Sequence, residues 1–379
     1  MPMTTYHRTH EFGGSVKHLL AIAAAAATWS CSPGSKDQAT TNDTTKPTAA
    51  TATSSNDAGG LTGAGATFPQ PLYQKWFDEY ATKTGVKINY QPIGSGGGIR
   101  QFTEGTVDFG ASEAPMTDEE MSKLKAPAYH IPTTVGVVAI TYNVPGVTEP
   151  LKLTGPVVAD IFLGKIKKWN DTRITSLNPG ATLPASDILV VHRAEGSGTT
   201  FIFSSYLAAV SPAWKTSPGA GKELQWPVGL GAQGSQGVTG QIKQTAGSVG
   251  YIELAFAKQN KLGTALLQNA DGQFVAPTAE GGSAAAEGAV SKLPANTDYR
   301  VSILNASGAT TYPIASFTWL LVPTKPTDAA KAKRLADFLR WAMTDGQKDA
   351  SALDYAPLPQ SLSTRLMTRI DSIAPGGAR

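Results

Sequence analysis

Cysteine is almost absent from this chain, since only Cys31 occurs in 379 residues. A single cysteine excludes an internal disulfide, so the folded part depends on its hydrophobic core. Charged residues are also scarce, at 16%, and the formal net charge is only +3. Lysine and arginine are dispersed, whereas nucleic-acid binding calls for a concentrated basic face. We therefore expect no nucleic-acid partner.

Histidine is rare as well, and only His130 and His192 follow the N-terminal segment. Metal-dependent hydrolases need clustered histidine and acidic ligands. We therefore expect no catalytic residue, no metal and no cofactor, and predict that the protein is not an enzyme. A secreted phosphatase with Ser197 as nucleophile remains an alternative, but such a serine needs a base, and only His192 lies near it in the sequence.

The N-terminal apolar run, residues 19–29, is short and follows a polar, weakly basic start. It reaches about half of the ~20 residues that a membrane-spanning helix requires. Residues 1–30 are therefore predicted to be an export signal. Cys31 follows directly and resembles the lipidated cysteine of bacterial lipoproteins, although Thr28 stands where their motif usually has leucine. We expect export to the periplasm or cell surface and a lipid anchor at Cys31; an incidental cysteine beside an ordinary cleavage site is the alternative.

Residues 31–60 contain no aromatic side chain and are rich in Ser, Thr, Ala, Asp and Gly. This composition predicts a disordered tether. From Leu61 onward, helical and extended patterns alternate, which predicts an α/β fold with mainly parallel strands. The stretch 277–297, rich in Ala, Gly and Ser, allows no prediction. The predicted strands are 86–90, 135–143, 187–193, 247–254 and 314–322, and the main predicted helices are 69–82, 200–210 and 331–343.

Three glycine-rich turns, residues 63–68, 94–98 and 196–199, precede predicted helices. The first N–H groups of a helix are unpaired, and the helix dipole there favours an anion. A single turn of this kind is more often an ordinary N-cap. Three in one chain, one of them beside an arginine, favour an anion site, with ordinary N-caps as the alternative. Arg193 ends a predicted strand just before the third turn, where side chains of α/β sheets face the ligand crevice. Its guanidinium suits a phosphate, and a surface ion pair with Glu195 is the alternative.

Several sequence blocks occur in an order that closely resembles the periplasmic phosphate-binding protein of bacterial high-affinity phosphate ABC transporters. The resemblance covers the chain from Leu61 to the C-terminal helix. The blocks are LTGAGATFP (61–69), IGSGGG (93–98), VDFGASEAP (107–115), IFLGKIKKW (161–169), RAEGSGT (193–199) and VGYIE (249–253).

This resemblance implies a two-lobed periplasmic-binding-protein fold of the α/β class, each lobe a mixed sheet flanked by helices. Two hinge crossovers would assign residues 61–133 and 316–379 to lobe I and residues 140–311 to lobe II. The implied function is binding of inorganic phosphate between the lobes and its delivery, by a monomer, to the permease and ATPase subunits of an ABC importer. Binding of another oxyanion, such as sulfate or molybdate, and a role in sensing or adhesion are the alternatives.

Carried over position by position, the resemblance implies a set of phosphate-binding residues. Glu195 stands where the family has an acid that holds the arginine in place. The family usually has aspartate where Glu113 and Glu195 stand, so each side chain here is longer by one methylene. The implied phosphate-binding residues are Thr67, Phe68, Ser95, Glu113, Arg193, Ser197, Gly198 and Thr199.

A carboxylate in an anion site favours a ligand that brings its own proton. Phosphate near neutral pH can donate a hydrogen bond to Glu113, whereas sulfate carries no proton and would leave a buried acceptor unpaired. We therefore predict that Glu113 makes the site prefer phosphate over sulfate.

Overall fold

The structure, a computed structural model, describes residues 60–374. The predicted export signal (1–30), the tether (31–60, apart from Gly60) and Cys31 lie outside the described residues. No helix in the described range combines the length and apolarity needed to cross a bilayer. The strands are β1 (Leu61–Gly65), β2 (Ile88–Pro92), β3 (Phe109–Ser112), β4 (Ala128–Asn143), β5 (Lys152–Leu153), β6 (Leu189–Arg193), β7 (Leu230–Ala232), β8 (Ser248–Glu253), β9 (Gly263–Thr264), β10 (Leu266–Gln268), β11 (Phe274–Val275) and β12 (Ala315–Pro323). The helices are α1 (Gln70–Thr84), α2 (Ser95–Glu104), α3 (Asp118–Ser122), α4 (Gly155–Phe162), α5 (Thr172–Thr175), α6 (Gly198–Val210), α7 (Pro212–Thr216), α8 (Gly234–Gln244), α9 (Leu254–Gln259), α10 (Ala279–Val290), α11 (Ala329–Met343), α12 (Lys348–Ala352) and α13 (Gln360–Ile373).

Most strands join one mixed sheet in the order β2-β1-β3-β12-β4-β8-β6-β7, with β9 paired to β4. The parallel pairs are β1 with β2 and β3, and β6 with β7 and β8. The antiparallel pairs are β12 with β3 and β4, and β4 with β8 and β9. The predicted α/β class with a mixed sheet is therefore confirmed.

Strand β4 connects two halves of this sheet. Its N-terminal part, through Val137, pairs with β12, and its C-terminal part, from Val138, pairs with β8. We call β2, β1, β3, β12 and the start of β4 the first half, and the end of β4 with β8, β6 and β7 the second half. The chain leaves the first half along β4 and returns to it at β12, so it passes between the halves twice.

Strand β4 begins earlier than the sequence predicted, at Ala128 rather than at residue 135. The early part contains Thr133 and Thr134, which interrupt the apolar run but are fully buried. Their hydroxyls donate to the backbone carbonyls of Thr318 and Ala356, both at 3.1 Å. Because these bonds satisfy the hydroxyls inside the core, polar residues can continue a buried strand.

Helix α10 lies in the stretch that the sequence left unassigned. Thr278 caps its N-terminus by accepting from the Gly281 N–H at 3.1 Å. A Cβ at Gly281 would lie 3.0 Å from Cβ of Tyr312, and one at Gly282 would lie 3.1 Å from Val137. The small residues therefore let the helix approach β4 and the Tyr312 segment closely, which propensity alone does not reveal.

Aromatic packing in the second half positions the end of β6 and the start of α6. Tyr251 stacks on Phe203 with ring centroids 4.2 Å apart. Its hydroxyl lies 2.6 Å from the Thr200 hydroxyl and accepts from the Arg193 backbone N–H at 3.2 Å. One core side chain thus joins the two elements that carry the predicted arginine and the third glycine-rich turn.

Candidate functional site

Thr67 and Phe68 lie in the turn between β1 and α1, and both are buried. The hydroxyl of Tyr355 donates to the Phe68 carbonyl at 2.6 Å and so fixes this turn from the C-terminal segment. Ser95 is the first residue of α2 and is also buried. These three predicted residues belong to the first half.

Glu113 follows β3 directly and is 1% exposed. Its Oε2 accepts from the Ser95 hydroxyl at 3.3 Å and its Oε1 from the Thr318 hydroxyl at 3.4 Å. Burial raises the pKa of the Glu113 carboxyl to about 8, although the positive charge of Arg193 and the two hydroxyls lower it in part. The carboxyl can therefore gain or lose its proton close to neutral pH.

Arg193 is the last residue of β6 and is 4% exposed. Its Nε donates to Glu195 Oε1 at 2.7 Å, its Nη2 forms an ion pair with the same carboxylate, and its Nη1 donates to the Thr199 hydroxyl at 3.2 Å. The backbone N–H of Gly234, at the start of α8, donates to both Glu195 oxygens at 3.2 and 3.3 Å. Glu195 therefore holds the guanidinium and is itself held by a helix N-terminus.

Ser197, Gly198 and Thr199 form the buried N-terminus of α6. Ser197 is the N-cap, and its hydroxyl accepts from the Thr200 N–H at 3.1 Å. A Cβ at Gly198 would lie 2.5 Å from both Glu113 Oε2 and the Ser95 hydroxyl oxygen. No side chain fits there, so glycine allows the α6 N-terminus to meet the first-half residues directly.

The two halves also form a backbone hydrogen bond beside the N-terminus of α6. The Gly96 N–H donates to the Gly196 carbonyl at 2.9 Å, which joins two of the glycine-rich turns. The structure therefore brings the predicted residues of both halves together in one buried cleft. They are Thr67, Phe68, Ser95 and Glu113 from the first half, and Arg193, Glu195, Ser197, Gly198 and Thr199 from the second.

Two polar residues of this cleft were not predicted, Thr318 and Ser235. Thr318 lies in the apolar strand β12 and donates to Glu113. Ser235 lies near the start of α8, and its hydroxyl oxygen is 2.9 Å from that of Thr67. A glycine does precede Ser235, as in the other three turns, but the strand before it, β7, is too short to show an extended pattern.

Neither remaining histidine is hydrogen-bonded to Ser197. The His192 ring stacks on Trp226 at 4.6 Å between centroids, and its Nδ1 lies 3.0 Å from the Arg193 carbonyl. His130 Nε2 accepts from the Met116 N–H at 3.0 Å, and burial lowers the pKa of this imidazole to about 4. The base that a serine nucleophile would need does not contact Ser197 among residues 60–374.

Comparison with known proteins first defines the class. Residues 47–345 match the model of the PBP superfamily domain. A solved high-affinity periplasmic phosphate-binding protein with bound phosphate has the same fold, with a TM-score of 0.66 at 22% identity over 82% of this chain and 93% of that chain. The phosphate-binding protein from Stenotrophomonas maltophilia gives 0.62 at 20% identity over 82% of this chain and 93% of that one. The predicted two-lobed α/β fold is confirmed.

Sequence relatives then define the family. The phosphate-binding protein PstS of Xylella fastidiosa is 44% identical over 351 residues, 91% of this chain and 94% of the relative. PstS of Pasteurella multocida is 44% identical over 310 residues, 82% of this chain and 89% of the relative. The chain therefore belongs to the PBP superfamily and, within it, to the PstS family of phosphate-binding proteins, as the resemblance in its sequence blocks predicted.

Proposed function

We propose that this chain binds inorganic phosphate in the cleft between its two halves and delivers it to an ABC permease for import. The observation that carries the proposal is that buried Arg193 bonds Thr199 at the N-terminus of α6, while the same N-terminus meets Glu113 and Ser95, the first residue of α2. The phosphate-binding relatives support the same ligand. Sulfate or molybdate is the alternative ligand.

In this proposal most cleft groups act as donors to the anion. Arg193 supplies charge-assisted N–H groups, and the first N–H groups of α2 and α6 have no intrahelical acceptor. The hydroxyls of Thr67, Ser95, Ser197 and Thr199 add short, adjustable donors, with Ser95 turning from Glu113 to the anion. The Phe68 backbone N–H, implied by the family resemblance, joins them. Glu195 keeps the guanidinium in place through the Nε bond rather than meeting the anion.

Glu113 is the acidic acceptor of the proposed site. Above pH 8 its carboxyl is mostly ionised, and hydrogen phosphate still has a proton to donate to it. Sulfate has none, so one of its oxygens would face a carboxylate oxygen of Glu113 with no hydrogen between the two acceptors. Below pH 8 the Glu113 carboxyl mostly carries the proton itself and can donate to phosphate and to sulfate alike. The proposed preference for phosphate over sulfate therefore increases with pH.

We further propose that lobe I comprises residues 61–133 and 316–379 and that lobe II comprises residues 140–311. The two passages of the chain between the sheet halves, along β4 and just before β12, support hinges between these segments. Binding would close the lobes, since each supplies part of the donor set. The closed monomer would then be the form that the permease and ATPase subunits receive.

The remaining parts of the proposal concern location. We propose that residues 1–30 direct export, that residues 31–60 form a flexible tether, and that Cys31 carries a lipid in the periplasm or at the cell surface. Replacing Cys31 with alanine should move the protein from the membrane fraction to the soluble fraction. Retention of the C31A protein on membranes would contradict the anchor.

Calorimetric titration of the mature protein with phosphate, sulfate, molybdate and arsenate tests the ligand. The proposal expects tight phosphate binding and much weaker binding of sulfate and molybdate. Tighter sulfate or molybdate binding would overturn it. Steady metal-free release of phosphate from an aryl phosphate ester would instead support the phosphatase alternative. Failure of the chain to restore growth of a deletion strain on limiting phosphate would favour a sensing role.

A further inference from the structure

Ser235 connects the two halves of the sheet inside the cleft. It is the second residue of α8, which packs against β6 and β8 of the second half, and it is 1% exposed. Its backbone N–H donates to the Thr67 hydroxyl oxygen at 3.2 Å. Its own hydroxyl oxygen lies 2.9 Å from the same atom. The backbone N–H and the hydroxyl of Ser235 therefore both contact one hydroxyl of the first half.

Arg193 leaves the hydroxyl hydrogen of Ser235 available for Thr67. Its Nη1 donates to the Ser235 hydroxyl oxygen at 3.5 Å, and a guanidinium has no acceptor. The Ser235 oxygen thus accepts from Arg193, and its hydrogen is free to point at Thr67. When Ser235 is the donor in this pair, Thr67 accepts twice, from the Ser235 N–H and from the Ser235 hydroxyl.

A hydroxyl has two acceptor positions and one hydrogen. With both positions on Thr67 occupied by Ser235, the single hydrogen of Thr67 remains for a third partner. We infer that Ser235 is the donor in this pair and thereby a positioning residue that makes Thr67 a donor toward the bound anion when the halves are closed. This inference rests on the proposed phosphate binding and assigns Ser235 no direct contact with phosphate.

The backbone around Ser235 supports a fixed position. Gly234, immediately before it, has a φ of 67° and donates its N–H to Glu195. One turn later, the Thr239 hydroxyl donates to the Ser235 carbonyl at 2.7 Å. The start of α8 is therefore bonded to the Arg193–Glu195 pair. Ser235 contacts Arg193 on one side and Thr67 on the other, so it links the guanidinium to a hydroxyl of the first half.

A double-mutant cycle on phosphate affinity tests this inference. Ser235→Ala should weaken phosphate binding about tenfold in the wild-type background, because Thr67 becomes free to turn its hydrogen away. In a Thr67→Val background, the same Ser235→Ala change should cost less than about twofold, since no hydroxyl is left to orient. Additive losses, or an unchanged affinity of Ser235→Ala, would overturn the inference.

Ser248→Ala is the matched control. Ser248 is equally buried, but its hydroxyl donates only to the backbone carbonyls of Ile242 and Thr245. It pairs with Leu189, at the opposite end of β6 from Arg193. We expect Ser248→Ala to leave phosphate affinity unchanged, and thermal unfolding of each variant verifies folding.

The titration also separates the two claims. If the wild-type protein binds no phosphate, the proposed function fails. If the wild-type protein binds phosphate and the cycle shows no coupling between Ser235 and Thr67, only the role of Ser235 fails.

Discussion

Two glutamates of the cleft carry the same carboxyl group in opposite settings. Glu195 is ion-paired with Arg193 and accepts from the Gly234 N–H, and its side chain is 14% exposed. Glu113 is 1% exposed, accepts from two neutral hydroxyls, and takes part in no ion pair within the described range. The surroundings, rather than the residue type, therefore make Glu195 the partner of the guanidinium, and in the proposed site they leave Glu113 available to the phosphate.

The two halves of the sheet also differ in the charge of the groups that they bring to the cleft. The second half contributes a charged donor, Arg193, and the start of α6, whereas the first half contributes neutral donors and the acid Glu113. We expect the second half to supply most of the binding strength and the first half to supply most of the selectivity.

Arg193→Met should give the largest effect on phosphate binding. It removes the charged donor and leaves the partly buried Glu195 without its partner, a loss of ~3–4 kcal/mol. This corresponds to about 100- to 1,000-fold weaker phosphate binding by calorimetry. Arg173→Met is the control, because Arg173 pairs with Asp160 and Asp171 in the same half but is substantially exposed. If Arg193→Met lost less phosphate affinity than Glu113→Gln, the first half rather than the second would supply most of the binding strength.

Glu113 should make the stability of the phosphate-free protein depend on pH. Its carboxyl keeps its proton in the folded state up to a pKa of about 8, whereas the unfolded chain loses it near 4.5. The folded state binds more protons between these values, so the stabilisation is full below 4.5 and is lost as pH rises through 8. We expect the unfolding free energy to fall by ~3–5 kcal/mol across this window.

Denaturant unfolding from pH 5 to 9 in phosphate-free buffer measures this effect. Glu113→Gln should flatten the curve, and part of the slope should remain because burial also raises the pKa of Glu253. The exposed Glu149→Gln is the control and should retain the full slope. An unchanged slope in Glu113→Gln would mean that Glu113 is ionised in the folded protein at neutral pH.

Selectivity should depend on the same proton. We expect the ratio of phosphate to sulfate affinity to rise from pH 6 to pH 9, as Glu113 ionises and only phosphate retains a hydrogen to donate. At pH 9, Glu113→Gln should reduce this ratio about 10- to 100-fold and remove the part of its pH dependence that comes from Glu113, because one unpaired buried acceptor costs ~1–3 kcal/mol. Competition calorimetry at fixed ionic strength provides both affinities. A ratio that falls with pH in the wild-type protein would contradict the role of Glu113 as acceptor.

The sequence predicted the parts of the cleft whose signals are local. Glycines before helices and an arginine at a strand end depend on neighbouring residues, and the family blocks supplied Glu113 and Glu195. Ser235 and Thr318 were missed because their roles depend on distant partners: Ser235 meets Thr67 across the cleft, and Thr318 lies within an apolar strand that pairs with β3. Side-chain contacts between remote segments leave no periodic pattern in one sequence.

The same limit applied to the fold. Helix α1 was predicted well because its buried residues repeat at helical spacing, and Gly85 ends it with a φ of 76°. Helix α10 was missed because its small residues gain stability only from close packing on β4 and the Tyr312 segment. The start of β4 was missed because its threonines find acceptors in β12 and in the C-terminal segment.

The smallest expected effect on phosphate affinity comes from an ion pair between the two halves. Lys222 of the second half contacts Glu120 of α3 in the first half at 2.5 Å, and both side chains are partly exposed. Lys222→Met should weaken phosphate binding only about 2- to 5-fold, since such pairs are worth ~0.2–1 kcal/mol. The effect should fade in 0.5 M salt, whereas the loss in Arg193→Met should persist because that charge is buried.

Lys123→Met is the matched control for this ion pair. Lys123 pairs with Glu119 four residues away, within the first half, so its loss cannot affect closure. We expect unchanged phosphate affinity in this variant at both salt concentrations. If Lys222→Met weakened binding as much as Arg193→Met, closure rather than direct donation would supply most of the affinity, and the difference in strength between the halves would have to be reassigned to their rim.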